Sequence, residues 1–276
     1  MGEKIFSNII SSQIEISGSI TKIPKSVKGK VLVMGSHGGQ LPGCIAIRKF
    51  ARAVILNDAG VGLDKAGISS LELCEKIKMA AATVSSMSCR IGNGYDMVER
   101  GIISYVNLSG ARLGVHAGMS CKIAIAKFVQ ANVAIQREFS NFREVKKKIS
   151  IPGYKKKVIL VDSASMLDSN DKNQVVVTGS HGGLIGENSK FAIKVPVHAA
   201  FFNDAGGGIE NCGVSRLPVL DELGIAGIAL DCMSCHIGSA VSAFETGKIS
   251  VVNQKAANFG IKPGMLTKEA VQYLLT

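Results

Sequence analysis

Residues 31–39 read Val-Leu-Val-Met-Gly-Ser-His-Gly-Gly, an apolar run that ends in a polar, glycine-rich corner. The run has the continuous hydrophobicity of a strand covered on both faces, as strands of parallel sheets are. The corner places a hydroxyl, an imidazole and bare backbone at the carboxyl end of that strand. The pentapeptide Gly-Ser-His-Gly-Gly returns at 179–183 behind a second apolar run. We therefore expect two equivalent strand ends in this chain.

The two pentapeptides belong to a longer internal repeat. They lie 144 residues apart, and the separation becomes 146 after a two-residue insertion in the following loop. The longer separation relates Asn-Asp-Ala-Gly at 57–60 to 203–206, and Met-Ser-Cys at 87–89 to 233–235. A repeat of this length predicts a duplicated α/β unit rather than one turn of a solenoid.

The repeat also predicts the domain organisation. We expect a first unit at 1–130, with its core at 13–130, and a second unit at 157–276, related by a pseudo-twofold axis. Residues 131–156 form the predicted connector, a helix followed by a basic stretch. Strand–helix alternation predicts an α/β fold in which a mainly parallel sheet is covered by helices. In the first unit we expect strands near 13–20, 30–35, 52–57, 80–86 and 102–106, and helices near 42–50, 66–78, 92–100 and 118–130.

Three polar motifs follow three successive predicted strands of each unit. Ser-His-Gly-Gly follows the second strand, Asn-Asp-Ala-Gly the third and Met-Ser-Cys the fourth. Ligands of open α/β sheets bind outside the carboxyl ends of the strands. The sequence therefore predicts a small-molecule site at this edge of the sheet.

His37 and His181 are the candidate acid–base groups, because a strand-end imidazole beside glycines is suited to proton transfer. Asp58 and Asp204 could orient the imidazole or act as general bases, and an Asx turn or helix cap is the structural alternative. Candidate nucleophiles are found in the Met-Ser-Cys motifs, although a buried cysteine is also common in protein cores. They are Ser88, Cys89, Ser234 and Cys235.

The same loops carry the candidate substrate-binding residues. Glycine lets the backbone approach a ligand closely, and successive amides in such turns bind anions. Tight-turn geometry alone is the alternative explanation. The residues are Ser36, Gly38, Gly39, Asn57, Gly60 and Gly62 in the first unit, and Ser180, Gly182, Gly183, Asn203, Gly206 and Gly208 in the second.

One difference between the copies suggests a shared pocket. Arg90 in the first copy corresponds to His236 in the second. If the two sheet edges met, a composite pocket could hold Arg90 as an anion clamp and His236 as an acid–base group. Whether His37 and His181 share one site or occupy two is left open.

The charge and the aromatic content of the chain bear on whether it binds nucleic acid. The net charge is +11, and residues 143–157 hold seven basic residues and one acid. Only Phe142 and Tyr154 are aromatic residues near this stretch, whereas nucleic-acid grooves combine basic charge with stacking aromatics. We therefore expect a solvated basic stretch rather than a nucleic-acid site.

Seven cysteines and the lack of an apolar signal segment predict reduced thiols in a cytoplasmic protein. No apolar run reaches the length of a membrane span, so we expect no membrane partner. A homo-oligomer is compatible with the sequence.

No metal and no cofactor are predicted. The spacing Cys-x-x-Cys-His at 232–236 matches a haem-attachment pattern, but the first copy has Ser86 and Arg90 in place of its first and last residues. A second pair of zinc ligands is not evident. The glycine loops fit neither the Walker A nor the Rossmann pattern.

Two short motifs resemble the caspase-like Cys–His hydrolases. His37-Gly38 ends a predicted strand, and Cys89-Arg90 follows 52 residues later. An additional Asn-Asp strand lies between them and the whole unit is duplicated, so the chain is not assigned to that family.

These features together predict a hydrolase of a small polar or anionic substrate, such as an amide, a cyclic amide or an ester. A His assisted by Asp would activate water or a Ser or Cys nucleophile, and backbone amides would stabilise the oxyanion. An isomerase or lyase acting on a small carboxylic acid uses the same groups. A non-catalytic phosphate- or nucleotide-binding protein is the alternative from another class.

Overall fold

The computed structural model describes residues 12–24, 26–133 and 143–276. Within them, the chain divides into two compact units. The first unit takes 12–24, 26–59 and 67–133, and the second takes 60–66 and 143–276. The loop 60–66, which the repeat places in the first unit, therefore packs within the second.

A five-stranded sheet organises the first unit. Its strands are β1 (Ile14–Ser17), β2 (Val31–His37), β3 (Ala53–Asn57), β4 (Ala80–Val84) and β5 (Ile103–Val106). Their spatial order follows the chain order. β1 to β4 are parallel, whereas β5 runs antiparallel beside β4. β2, β3 and β4 are buried along their whole length, as the continuous apolar runs predict.

Helices cover both faces of this sheet. They are α1 (Gln40–Arg48), α2 (Ser70–Lys76), α3 (Gly94–Arg100), α4 (Leu108–Ala111) and α5 (Cys121–Phe128), with a 3₁₀ turn at Ile20–Lys22. A further 3₁₀ turn, Leu63–Ile68, begins in the loop 60–66 of the second unit and ends in the first. Leu32 and Met34 of β2 pack in a core with Cys74 of α2. On the opposite face, Val33 packs in a core with Met97 of α3 and Phe128 of α5.

The chain leaves the carboxyl ends of β3 and β4 toward opposite faces of the sheet. α2 follows β3 on one face, and α3 follows β4 on the other. Adjacent connections that diverge in this way open a crevice at the strand ends, which is where α/β sheets bind ligands. These two diverging connections carry the Asn-Asp-Ala-Gly and Met-Ser-Cys motifs.

The second unit contains a six-stranded sheet of the order β11-β10-β9-β8-β7-β6. Its strands are β6 (Lys146–Ile149), β7 (Val158–Val161), β8 (Val175–His181), β9 (Ala199–Asn203), β10 (Ala226–Leu230) and β11 (Ile249–Val252). β7 to β10 are parallel, and both edge strands are antiparallel to their neighbours.

The helices of the second unit are α6 (Arg216–Glu222), α7 (Ala240–Thr246), α8 (Gln254–Asn258) and α9 (Thr267–Leu275), with 3₁₀ turns at Ala164–Met166, Ser169–Asp171, Ser189–Phe191 and Ile209–Val214. Leu220 of α6 lies in the core of one face, whereas Ala243 of α7 and Leu274 of α9 lie in the core of the other. The connections after β9 and β10 therefore diverge in the same way.

Part of the basic stretch of the predicted connector forms an edge strand, β6. β6 pairs with β7, and Lys146 Nζ lies 2.7 Å from carboxylate oxygens of both Asp168 and Asp171. Exposed lysines on an edge strand discourage further strand pairing. Residues 134–142, which include the predicted connector helix, lie outside the described residues.

No helix within residues 12–24, 26–133 and 143–276 combines the length and the apolar character that crossing a membrane requires.

Candidate functional site

The three polar motifs lie at the ends of neighbouring parallel strands in each unit. His37 is paired with Asn57 across β2 and β3, after an irregularity in the register that follows Val33. His181 is paired with Asn203 across β8 and β9 in the same manner. The strand ends therefore bring the predicted imidazole beside the predicted amide.

A neutral imidazole occupies the end of β2. Nδ1 of His37 accepts a hydrogen bond from the Gly39 amide at 3.1 Å, which leaves the proton of the neutral ring on Nε2. Burial lowers the pKa of His37 to about 4, because the charged ring would lose its hydration. In the second unit, Nδ1 of His181 accepts from the Gly183 amide at 3.2 Å.

The asparagines link the third strand end to the fourth. Oδ1 of Asn57 accepts from the Ala59 amide at 2.9 Å, and its Nδ2 lies 3.8 Å from the Cys89 sulfur. Asn203 repeats both contacts, with the Ala205 amide at 2.9 Å and the sulfur of Cys235 at 3.7 Å. These contacts link each third strand end to its own loop and to the cysteine that follows the fourth strand.

The aspartates that follow receive backbone amides. Oδ1 of Asp58 accepts from the Ser86 amide at 2.9 Å. Oδ1 of Asp204 accepts from the amides of Gly206 at 2.9 Å and Cys232 at 3.0 Å. Each carboxylate therefore ties the third strand end to the loop after the fourth strand.

The predicted nucleophiles are engaged within the protein. Ser88 Oγ donates to the Ser85 carbonyl at 2.7 Å and accepts from the Ile102 amide at 3.0 Å. Cys89 and Cys235 are both fully buried. Burial raises the pKa of the Cys235 thiol to about 11, whereas a nucleophilic thiol requires a lowered pKa. Ser234 Oγ makes the two bonds of Ser88, to the Asp231 carbonyl and from the Lys248 amide.

Close packing and a local hydrogen bond explain the residue types at several positions of the first pentapeptide. A Cβ at Gly35 would lie 2.5 Å from the backbone of Gly92 and Asn93, and one at Gly38 would lie 2.5 Å from the Gly67 carbonyl oxygen. Neither position can hold a larger residue unless the neighbouring backbone moves. Ser36 Oγ accepts from the Ile20 amide at 3.0 Å.

The second pentapeptide is held in the same way. A Cβ at Gly179 would lie 2.6 Å from the backbone of Gly238 and Ser239, and one at Gly182 would lie 2.7 Å from the Gly213 carbonyl oxygen. Ser180 Oγ accepts from the Ala164 amide at 2.9 Å. In the first unit, the Nε2–H of His37 is thus the polar group of the motif that is left for chemistry.

The loop 60–66 contacts the two loops that follow β9 and β10 in the second unit. The Leu63 amide donates to the Cys232 carbonyl at 2.8 Å, and a Cβ at Gly62 would lie 3.0 Å from the same oxygen. A Cβ at Gly206 would lie 2.9 Å from the Gly60 Cα. The candidate glycines of this loop therefore serve a close approach of two backbone segments within the second unit.

Gly206→Ala should destabilise the protein more than Gly207→Ala. Both residues have a left-handed φ, 72° and 74°, so alanine is strained at either position by about 1 kcal/mol. Only Gly206 faces the Gly60 backbone, whereas a Cβ at Gly207 comes no closer than 4.0 Å to a side-chain oxygen of Asn211. Urea unfolding should show an additional loss of about 1–2 kcal/mol for Gly206→Ala. Equal losses for the two variants would contradict this close approach.

The remaining candidates have local partners. Nη1 of Arg90 lies 3.9 Å from the Asp96 carboxylate in the first unit. In the second unit, Nε2 of His236 lies 2.8 Å from Asp64 Oδ2. Gly208 has a φ of 67° and precedes the 3₁₀ turn that starts at Ile209. The proposed pairing of Arg90 with His236 in one pocket stays a hypothesis.

One group of potential metal ligands lies in the part of the chain that the structure describes. The ligand atoms of Asp204, Asp231 and Cys232 are all within 4.8 Å of one another. Burial, followed by the charges of the two aspartates, raises the pKa of the Cys232 thiol to about 12. Sequence reasoning missed Asp231. Comparison with the first unit, which has Ser85 and Ser86 at the corresponding positions of the sequence, could have drawn attention to it.

Comparison of this chain with protein-family models, with curated proteins and with solved structures gave no match.

Proposed function

We propose that this protein is a hydrolase of a small polar or anionic substrate, such as an amide, a cyclic amide or an ester. The observation that carries the proposal is the buried neutral imidazole of His37, whose Nδ1 is tied to the Gly39 amide. His37 lies at the carboxyl end of a central parallel strand, which is the edge of the sheet where such folds bind ligands.

In this proposal, His37 acts as a hydrogen-bond donor. A ring with a pKa of about 4 is a weak base at neutral pH, but its neutral N–H can stabilise the oxyanion that forms when a carbonyl is attacked. A donor of this kind keeps its proton throughout the working pH range. In the second unit, Nδ1 of His181 accepts the same bond from the Gly183 amide.

Water is the proposed nucleophile. The buried thiols and the engaged hydroxyl groups of the Met-Ser-Cys motifs do not favour covalent catalysis. Asp58 is the proposed general base, since its carboxylate is fixed through Oδ1 by the Ser86 amide. A carboxylate oriented in this way can accept the proton of an attacking water.

Phosphate or nucleotide binding is less well supported by the same loops. The Gly206 amide, which a phosphate would use, already donates to the Asp204 carboxylate. A phosphate at this position would face a second negative charge. An isomerase or lyase acting on a small carboxylic acid uses the same imidazole and carboxylate, and it remains the second candidate.

We also propose that the two units arose by duplication. The matched bonds of His37 and His181, and of Asn57 and Asn203, support this. The described cysteines are all free thiols, which supports a reducing, cytoplasmic setting.

His37→Asn should lower kcat for hydrolysis more than His37→Gln does. Asn keeps an acceptor near the position of Nδ1 but has no donor near Nε2, whereas the amide of Gln reaches that donor position. With a panel of small amides, lactams and esters, we expect at least a ~100-fold loss of kcat for Asn and partial retention for Gln. The same pair at His181 assigns the activity to one unit or both.

A native circular dichroism spectrum and a melting temperature above the assay temperature are the controls for each variant. Equal kcat values for the wild type and for both Asn variants, or a wild type that hydrolyses none of the panel, would contradict the proposal. Racemisation or elimination of a carboxylic acid substrate would favour the second candidate.

A further inference from the structure

A mixed cluster of metal-ligating side chains lies at the carboxyl ends of β9 and β10. It consists of Asp204, Asp231 and Cys232, whose ligand atoms lie within 4.8 Å of one another. Cys232 is 6% exposed, and the two aspartates are partly open to solvent. We propose that these three side chains bind a divalent transition-metal ion, and that zinc is the preferred ion.

The chemical types of the three ligand atoms determine which metal ion is preferred. Zinc binds thiolate sulfur and carboxylate oxygen, and sites with three protein ligands keep a fourth position for water or substrate. Calcium and magnesium prefer oxygen ligands throughout, and the sulfur of Cys232 does not suit them. Ligand atoms in a tetrahedral zinc site lie roughly 3.5 Å apart, so small side-chain rotations would close the cluster on the ion.

Backbone amides support two of the three ligands. Oδ1 of Asp204 accepts from the amides of Gly206 and Cys232, which fixes the carboxylate and leaves Oδ2 as its ligand atom. The Gly206 amide also interacts with the Cys232 sulfur. Donors that orient the ligands are the usual surroundings of a bound metal.

The loop does not need this donor set to hold its shape. In the second unit, Oδ1 of Asp231 accepts from the Met233 amide at 2.8 Å. In the first unit, Ser85 Oγ accepts from the Met87 amide at 3.2 Å. A hydroxyl group can therefore make the hydrogen bond that holds this loop. The second oxygen of the Asp231 carboxylate is not needed for that bond.

The same holds for Cys232. Its amide donates to Asp204, as the Ser86 amide donates to Asp58 at 2.9 Å in the first unit. This bond uses only the backbone, and the thiol adds a hydrogen bond to the Asp204 carboxylate that serine could also make. The first unit thus supplies the control: the same loop with serine in place of both extra ligands.

The experiment compares untagged wild-type protein with the double variant Asp231→Ser, Cys232→Ser after treatment with a chelator. Titration calorimetry with Zn²⁺ should give one equivalent bound per wild-type chain. The variant should bind more than about 100-fold more weakly, because loss of outer-shell partners alone costs 10–100-fold. Addition of Co²⁺ to the wild type should produce a thiolate-to-cobalt charge-transfer band in the near ultraviolet, and this band should be absent in the variant.

Cys121→Ala is the control for general loss of a buried thiol, and it should bind both metals as the wild type does. Metal-free wild type and double variant should have the same circular dichroism spectrum. Failure of folded wild type to bind Zn²⁺, equal binding by the double variant, or a Co²⁺ spectrum with no thiolate band would overturn the proposal. These measurements detect binding and do not depend on hydrolysis.

Discussion

Gly179→Ala is expected to lower the free energy of unfolding by about 3 kcal/mol. The new Cβ would lie 2.6 Å from the backbone of both Gly238 and Ser239 and 2.8 Å from the Asp162 carbonyl oxygen. All three neighbours are backbone atoms, so no flexible side chain can move aside. Glycine inside a strand marks such a close approach of two backbones. Urea unfolding followed by circular dichroism would measure the loss.

The matched control is Gly264→Ala in the same unit. Gly264 has a left-handed φ of 92°, but a Cβ there meets no atom within 4 Å. Its cost should be about 1 kcal/mol from backbone strain alone. If Gly179→Ala were as mild as this control, the close approach at the first residue of the pentapeptide would not exist. Gly35→Ala in the first unit should repeat the large effect.

The free energy of unfolding should fall by about 3 kcal/mol as the pH is lowered from 6.5 to below 4, because His37 is protonated in the unfolded chain before it is protonated in the folded protein. The pKa of His37 is about 4 in the folded protein and 6.5 in the unfolded chain. The unfolded chain therefore binds more protons in this range. The contribution is complete above pH 6.5 and is lost as the pH falls through 4.

His37→Asn tests this assignment, because it removes the titrating ring and keeps an acceptor for the Gly39 amide. The variant should be less stable at pH 7 but should lose less stability on acidification. Burial also lowers the pKa of His198, and that contribution persists in both proteins. Unfolding free energies measured between pH 7 and 4 that fall equally in both would refute the assignment to His37.

The strands of the first unit could be predicted from residue pattern alone. The apolar runs at 31–34, 53–56 and 80–84 end in polar, glycine-rich turns, and β2, β3 and β4 lie at those positions. A strand buried on both faces needs an unbroken apolar run, so its sequence is distinctive.

Edge strands carry a weaker signal. β6 consists of three lysines and an isoleucine, and composition alone indicated a solvated connector. Its backbone pairs with β7, and this pairing is a long-range contact that side-chain pattern does not encode. The membership of 60–66 in the second unit is likewise set by contacts with Gly206 and Cys232 rather than by its position in the repeat.

The sequence by itself determined that polar motifs stand at the ends of buried parallel strands, because strand burial and turn chemistry are local properties of the chain. Only the tertiary structure decided which atoms of those motifs remain for chemistry. Gly35 and Ser36 proved to serve packing, the Nδ1 of His37 is taken by an amide, and Asp231 joined Asp204 and Cys232. These outcomes depend on neighbours that are distant in sequence, and hydrogen-bond partners and close approaches exist only once the strands are assembled.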